Sequence, residues 1–317
     1  MKNTFHISSC LCSLLSLVLF AMGLVGCAGQ QSPISFYRKP LMTLDSLIAL
    51  RPRFQAEKEQ EIKVAKKKLN SLPASSPKRY ELNKEIQQLY RGYICDSLIY
   101  YIYENIWLSR QLKDHEKTLE SEMSLAVYLA KSGMYLEALV LMDSIRRADV
   151  NEELLDIYYR AYNLIYRQKA YISKDKVLVE QVFAPLAKVY QDSLLAVVDS
   201  GSAIYYDVHI QKYMDEKRFA EALELSENRL AMLTPGDREY AAVWYNIGDV
   251  KNMMGDRKGF FEAMLHSAIE DMKHCIKDHA SLHRIARTLY DWDEVSRAAS
   301  YIQICICLLY TSDAADD

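Results

Sequence analysis

Ten glycines and seven prolines in 317 residues are too few for the turns of a sheet-rich fold. Cysteine is just as uninformative about covalent structure. Of seven, Cys10, Cys12 and Cys27 belong to the leader, and Cys95, Cys275, Cys305 and Cys307 form neither a CxxC pair nor a disulfide framework. Cys95 and Cys275 read as small buried apolar side chains. Neither charge is in surplus: 39 basic residues face 42 acidic ones, a net −3, so nothing marks this portion for nucleic-acid binding. GxSxG, HExxH, GxGxxG and phosphate-loop patterns do not occur. The expectation is a non-enzyme with no catalytic residue, no cofactor site and no metal site.

The nearest approach to a metal site is His274, Cys275, His279 and His283. Cys275, His279 and His283 fall at i, i+4 and i+8, which one helix would present on one face. A structural zinc needs a fourth ligand, for which only His266 is near in sequence. A turn over Asp278–Ser281 would separate the three, and ordinary surface histidines explain them as well.

What is present is helix-forming. Half of the residues are apolar, enough for a substantial core. Residues 1–26 read as a signal peptide: Lys2, then an apolar run from Leu11 to Val25 that is short for a spanning helix. Leu24-Val25-Gly26-Cys27 resembles a bacterial lipobox, in which small residues admit the peptidase and the Cys27 thiol takes the diacylglyceryl group. An ordinary cleaved signal with a chance cysteine is the plainer alternative. Residues 27–42 read as a tether. At the other end, residues 307–317 resemble the translation of a transposon-derived sequencing adapter. The expectation is that the natural gene continues beyond Ile306, where a helix is still in mid-course.

Between these, residues 43–306 read as helices. Leu44, Leu47 and Ile48 stand at helical spacing with Thr43 as N-cap, and Pro52 is expected to end or kink that helix. Phe54, Ile62, Ala65, Leu69 and Leu72 make the next stripe, opposite a solvated face that includes Lys67. Leu82, Ile86, Leu89 and Tyr93 follow, and Asp96 is placed to cap a helix bearing Leu98, Ile102 and Ile106.

The middle of the chain repeats itself. Ala126, Leu129, Gly133, Tyr135, Ala138 and Met142 lie at the offsets of a tetratricopeptide unit: small residues where two helices touch, and a glycine to close the first helix. Ile210, Tyr213, Phe219 and Ala222 repeat those offsets, with Pro235 as a stop. Trp244, Ile247, Gly248 and Gly255 begin another unit, and Leu282, Ile285, Ala286, Leu289, Ala298 and Ile302 form a last one. Asn151–Gln191 fits less well, as helix pairs of altered register. The fold expected is all-α, a tetratricopeptide-like solenoid of antiparallel helical hairpins; a generic helical bundle is the alternative. The 23 tyrosines cluster at Tyr100, Tyr101 and Tyr103 and at Tyr158, Tyr159 and Tyr162. Interhelical packing with the hydroxyl at the rim is the simpler use of them, an aromatic binding surface the more specific one.

Several short segments occur in a telling order: Leu44-Asp45-Ser46-Leu47-Ile48, Arg79-Tyr80-Glu81-Leu82-Asn83, Asp96-Ser97-Leu98, Ser132-Gly133-Met134-Tyr135-Leu136-Glu137-Ala138-Leu139 and Ala268-Ile269-Glu270-Asp271-Met272-Lys273. The arrangement resembles membrane-bound regulators of Bacteroidetes that carry a domain-of-unknown-function label, number 6377. The resemblance covers Leu44 to Ile306. It implies a periplasmic helical-repeat sensor, followed by a membrane span and a cytoplasmic DNA-binding region. The lipobox departs from that pattern, because a lipid anchor beside a later span is redundant. The expected function is therefore an extracytoplasmic, membrane-anchored sensor or protein-binding domain of a truncated regulator. A protein or peptide partner on the concave face is expected, with membrane attachment through Cys27 and a missing C-terminal span. A lipid-anchored scaffold of an envelope complex is the alternative.

Overall fold

The computed structural model describes residues 33–277 and 279–310. The signal peptide, Cys27 and the tail past Tyr310 lie outside the described residues. The chain divides into two units, Met1–Lys39 and Pro40–Asp317. Of the first, Pro33–Tyr37 form a short 3-10 turn, and a helix begins at Arg38.

Among the described residues there are thirteen α-helices of more than one turn and no strand. They are α1 (Arg38–Asn70), α2 (Lys78–Tyr90), α3 (Cys95–Gln111), α4 (His115–Lys131), α5 (Tyr135–Asp143), α6 (Leu155–Ile172), α7 (Ala184–Val197), α8 (Ala203–Asp215), α9 (Phe219–Ala231), α10 (Tyr240–Met253), α11 (Arg257–Lys273), α12 (Ala280–Asp291) and α13 (Val295–Tyr310). A single α-turn (Lys176–Leu178) and a π-helical turn (Val179–Phe183) lead into α7. From α2 onward neighbours in sequence pack against each other, and α4 also lies against α6, one hairpin further on. That is the stacking of a solenoid.

Two readings of the N-terminal region are corrected. The helix starts at Arg38, within the segment read as tether and upstream of Thr43, so Thr43 does not cap it. Pro40 falls in the first helical turn, where its missing N–H would have no partner in any case. Nor does Pro52 break the helix: α1 runs through it for 33 residues, about 50 Å. Pro52 faces solvent, so the carbonyl it leaves unpaired has water available. Asp96 is likewise inside the first turn of α3 rather than its cap, which is Ile94. There its charge still complements the helix dipole.

The turns repeat a device. Lys113, Gly133, Lys217, Gly255, Cys275 and Asp293 all have positive φ, between 55° and 87°, directly after α3, α4, α8, α10, α11 and α12. In each case the next backbone N–H reaches back five residues to a helical carbonyl, at 2.8–2.9 Å. This left-handed cap satisfies a terminal carbonyl and reverses the chain in few residues. Asp114 and Asp256 then cap the following helices, accepting from the N–H of Lys117 (3.1 Å) and Gly259 (2.9 Å).

Small residues occupy the close helix contacts. Ala126, Ala138 and Ala222 are completely buried, and Ala286 and Ala298 nearly so. At Gly248 on α10 a Cβ would come within 2.2 Å of Met264 Cε and 3.3 Å of Ala263 Cβ, both on α11. Tyr135 and Phe219 are half-buried at the starts of α5 and α9. A polar cluster holds the first hairpin in register: Asn83 Nδ2 donates to Asn105 Oδ1 (2.8 Å), and Asn105 Nδ2 to the Tyr80 carbonyl (3.1 Å). Both asparagines are buried, so their pairing specifies one alignment of α2 on α3.

Helix α1 joins the two ends of the solenoid. Its C-terminal half adds Ile62, Ala65 and Leu69 to the core shared by α2 to α6. Its N-terminal half meets α13, where Asp45 accepts from Tyr301 at 2.6 Å and pairs with Arg297 at 3.3 Å. No helix among the described residues is long and apolar enough to cross a membrane.

Candidate functional site

Three consecutive hairpins begin with α4, α6 and α8. The α4–α6 contact and an ion pair from Arg167 on α6 to Asp215 on α8 (2.7 Å) set these helices side by side. Lys131, Arg160 and Asp207 stand on α4, α6 and α8 and interact electrostatically with one another. Arg91, in the turn after α2, faces Lys131, and Arg229 on α9 and Glu239 before α10 face Asp207. The result is a charged patch built from six parts of the chain.

Long-range contacts tie the end of α2 to later segments of the chain. The Arg238 guanidinium donates to the Gln88 carbonyl oxygen of α2, 150 residues earlier in sequence. The Lys277 backbone N–H donates to the Gly92 carbonyl at 2.7 Å. Gly92 has φ +73°, and a Cβ there would press on Ile276 at 3.1 Å. The turn after α2 therefore needs glycine both for its conformation and for this approach.

Arg91, Lys131, Asp207 and Arg238 are exposed, and Arg160 is half-buried. The side chain of Lys131 reaches solvent, yet the surrounding protein, and after it Arg160 and Arg91, push its pKa down to about 8. Partial burial raises the pKa of Asp207, against the opposing pull of Arg160. Arg229 pairs with Glu239 and stacks over the Tyr206 ring at 5.3 Å. Among the described residues, Arg91, Lys131, Arg160 and Arg238 have no ion-pair partner within 4 Å.

Other candidates carry less. A groove of about 900 Å³ lies between α1 and α2, lined by Arg53, Glu57, Glu61, Val64, Lys68, Glu85 and Leu89. Its charges are mixed and in part already paired, as Arg53 is with Glu57 at 2.8 Å. The tyrosines pack: Tyr162 and Tyr166 of α6 stack on Tyr190 of α7 at 4.6 and 5.8 Å, and the Tyr162 hydroxyl bonds Asp143 at 3.1 Å. Tyr100 and Tyr103 instead face solvent on α3, while Tyr101 is inside.

The His/Cys set is dispersed. Helix α11 ends at Lys273 and α12 begins at Ala280, so Cys275 and His279 lie in a turn, both with positive φ, and His283 lies exposed on α12. His266 stacks on Trp244 at 4.3 Å. No group of three or more potential ligands among the described residues is placed to hold a metal ion.

A protein-family profile described as the SusR N-terminal TPR domain matches residues 48–307. The chain belongs to this family. Members are sensor domains of Bacteroidetes regulators with tetratricopeptide-type helical repeats, and the match spans α1 to α13. The matching profile bears the SusR description, not the number 6377 of the label to which the sequence was compared. No curated protein matches the chain.

The charged patch was not visible in the sequence. Arg91, Lys131, Arg160, Asp207 and Arg238 have no common spacing. Lys131 is the last residue of α4, where a cation is ordinary because it complements the helix dipole.

Proposed function

We propose that this chain is the extracytoplasmic, non-catalytic sensing domain of a membrane-bound signalling or transcription regulator. The observation that carries the proposal is the family match across the repeat region. A repeat domain of this type binds partners on its curved inner surface. Here that surface combines side chains from hairpins far apart in sequence, so a bound effector or protein segment would alter how the hairpins sit on one another. Attachment to the envelope is through lipidated Cys27, with the repeat domain on the periplasmic side.

Expression profiling of cells carrying variants of the charged patch tests the sensing role. Arg160→Gln should change a defined transcript set while the protein level stays constant. An unchanged transcriptome, with loss of an envelope complex instead, would favour the lipid-anchored scaffold reading. Mass spectrometry of the membrane fraction tests the anchor: Cys27 should be the mature N-terminus and carry acyl chains. Unmodified protein, or processing unaffected by Cys27→Ser, would remove it.

A further inference from the structure

One side of α3 carries a row of side chains that the packing of the solenoid does not use. The helix buries Leu98, Tyr101, Ile102, Asn105 and Ile106, and it packs on α2 and α4. Its opposite side holds Tyr100, Tyr103 and Trp107, each more than half exposed. Of the three tryptophans of the chain only Trp107 is exposed. Single exposed apolar residues are ordinary on any protein, but three large aromatics in one row mark a contact surface.

The row is symmetric about its middle. Asp96 and Arg110 stand at its two ends, Tyr100 and Trp107 inside them, and Tyr103 at the centre; all five are exposed. At about 100° per residue they lie within about 80° of one another, along roughly 21 Å of helix. Turned end for end, the row again reads charge, three aromatics, charge, with the signs exchanged. Two copies laid antiparallel therefore match. Asp96 of each faces Arg110 of the other, Tyr100 faces Trp107, and Tyr103 meets itself on the two-fold axis. A parallel pair would set Asp96 on Asp96 and Arg110 on Arg110, so charge fixes the antiparallel sense. Arg110 already donates to Glu122 of α4 at 2.6 Å through one Nη. The rest of its fork of donors remains for a second carboxylate. Any other protein partner would need an aromatic row of this length with the two charges in reverse order; a second copy has both by construction.

We propose that α3 is a self-association face, on which a second copy of this chain docks through the same row in the antiparallel sense. The contact has an aromatic centre and an ion pair at each end. Each aromatic still exposes about half of the 150–250 Å² it could bury, so three from each copy contribute roughly 450–750 Å². A standard stable interface buries about 1,600 Å², so the pair is weak, with a dissociation constant of about 10–100 μM. The pairing does not depend on the sensing role.

The test is cysteine cross-linking of the full chain in cell envelopes, in a Cys95→Ser background that removes the exposed thiol of α3. Tyr103→Cys should give a covalent dimer with a short bismaleimide, because that position meets its own copy. Tyr100→Cys or Trp107→Cys alone should give about fivefold less, since each lies off the axis by about two further turns of helix between the copies. Produced together, these two chains should cross-link to each other. Tyr171→Cys, at an exposed aromatic of α6, reports random collision. Asp96→Arg and Arg110→Asp should each lower the Tyr103→Cys dimer about fivefold. The two charge variants mixed should recover it, because each then meets its opposite sign, and a folding defect cannot produce that rescue. The proposal is overturned if Tyr103→Cys gives no more dimer than Tyr171→Cys, or if the three positions of the row cross-link alike. It is equally overturned if the mixed charge variants fail to recover the dimer, or if Tyr103→Cys couples only to some other protein.

Discussion

The Tyr301 hydroxyl donates to Asp45 at 2.6 Å, across 256 residues of sequence. Tyr301 is buried on α13, and burial together with the Asp45 carboxylate raises its pKa well above the ordinary phenol value, so it acts as a donor throughout the working pH range. Helix α1 thereby ties the last hairpin to the first, and the solenoid is a closed arrangement and not an open stack. Tyr301→Phe keeps the ring and removes the bond. Because Asp45 is partly exposed and retains Arg297, the loss should be about 1–2 kcal/mol, below the upper range for hydrogen bonds to charged groups. Denaturant unfolding measures it. Equal stability of parent and variant would mean that the α1–α13 contact is incidental.

The left-handed caps make opposite predictions at two positions. Gly133 has φ +87° and open space around its missing Cβ, whose nearest neighbour would be Tyr135 Oη at 4.0 Å. Gly133→Ala therefore meets backbone strain alone and should cost about 1 kcal/mol. Lys217, at φ +60°, already bears that strain. Lys217→Gly should relieve it and stabilise the fold by about 0.5 kcal/mol, net of the added freedom of the unfolded chain. Thermal melts of the two variants should move in opposite directions.

The same six turns show what the sequence reveals and what it hides. Glycine marks the left-handed cap at Gly133 and Gly255, because a missing Cβ is a visible signal. Lysine, cysteine or aspartate performs the same role at Lys113, Lys217, Cys275 and Asp293 with no signal in residue type. The helical hairpins were legible from small residues at fixed offsets. The passage of α1 through Pro52 was not, because whether proline breaks a helix depends on which way its face points. The charged patch at Lys131 was illegible for another reason. Its residues come from separate helices and turns, and only the winding of the solenoid brings these segments together, as in the contact of Arg238 with Gln88.

Close helix contacts predict an asymmetry between core and surface. Ala138 is completely buried where α5 meets α4, so Ala138→Leu should overpack the hairpin and cost about 1–3 kcal/mol. Lys67→Ala, on an exposed face, should stay within about 0.5 kcal/mol of the parent. Comparable melting shifts for the two would argue against tight packing at Ala138.

The depressed pKa of Lys131 gives a pH-dependent prediction whose sign is fixed. A lysine that ionises near 8 in the fold and near its ordinary value of 10.5 when unfolded binds its proton less tightly in the native state. Its protonated form therefore weighs against the fold below pH 8, and that penalty is relieved as pH rises from about 8 toward 10.5. The amine is also partly neutral at pH 8 and open to solvent. It should react with an amine-selective acylating reagent ahead of ordinary surface lysines such as Lys67, as peptide mass mapping over a time course would show. Arg160→Gln removes a cation that lowers the Lys131 pKa, so it should raise that pKa and slow the reaction. Asp207→Asn removes the carboxylate that raises it, and should lower the pKa further and speed the reaction. Labelling of Lys131 at the rate of Lys67, unmoved by either variant, would show that these charged groups are not coupled.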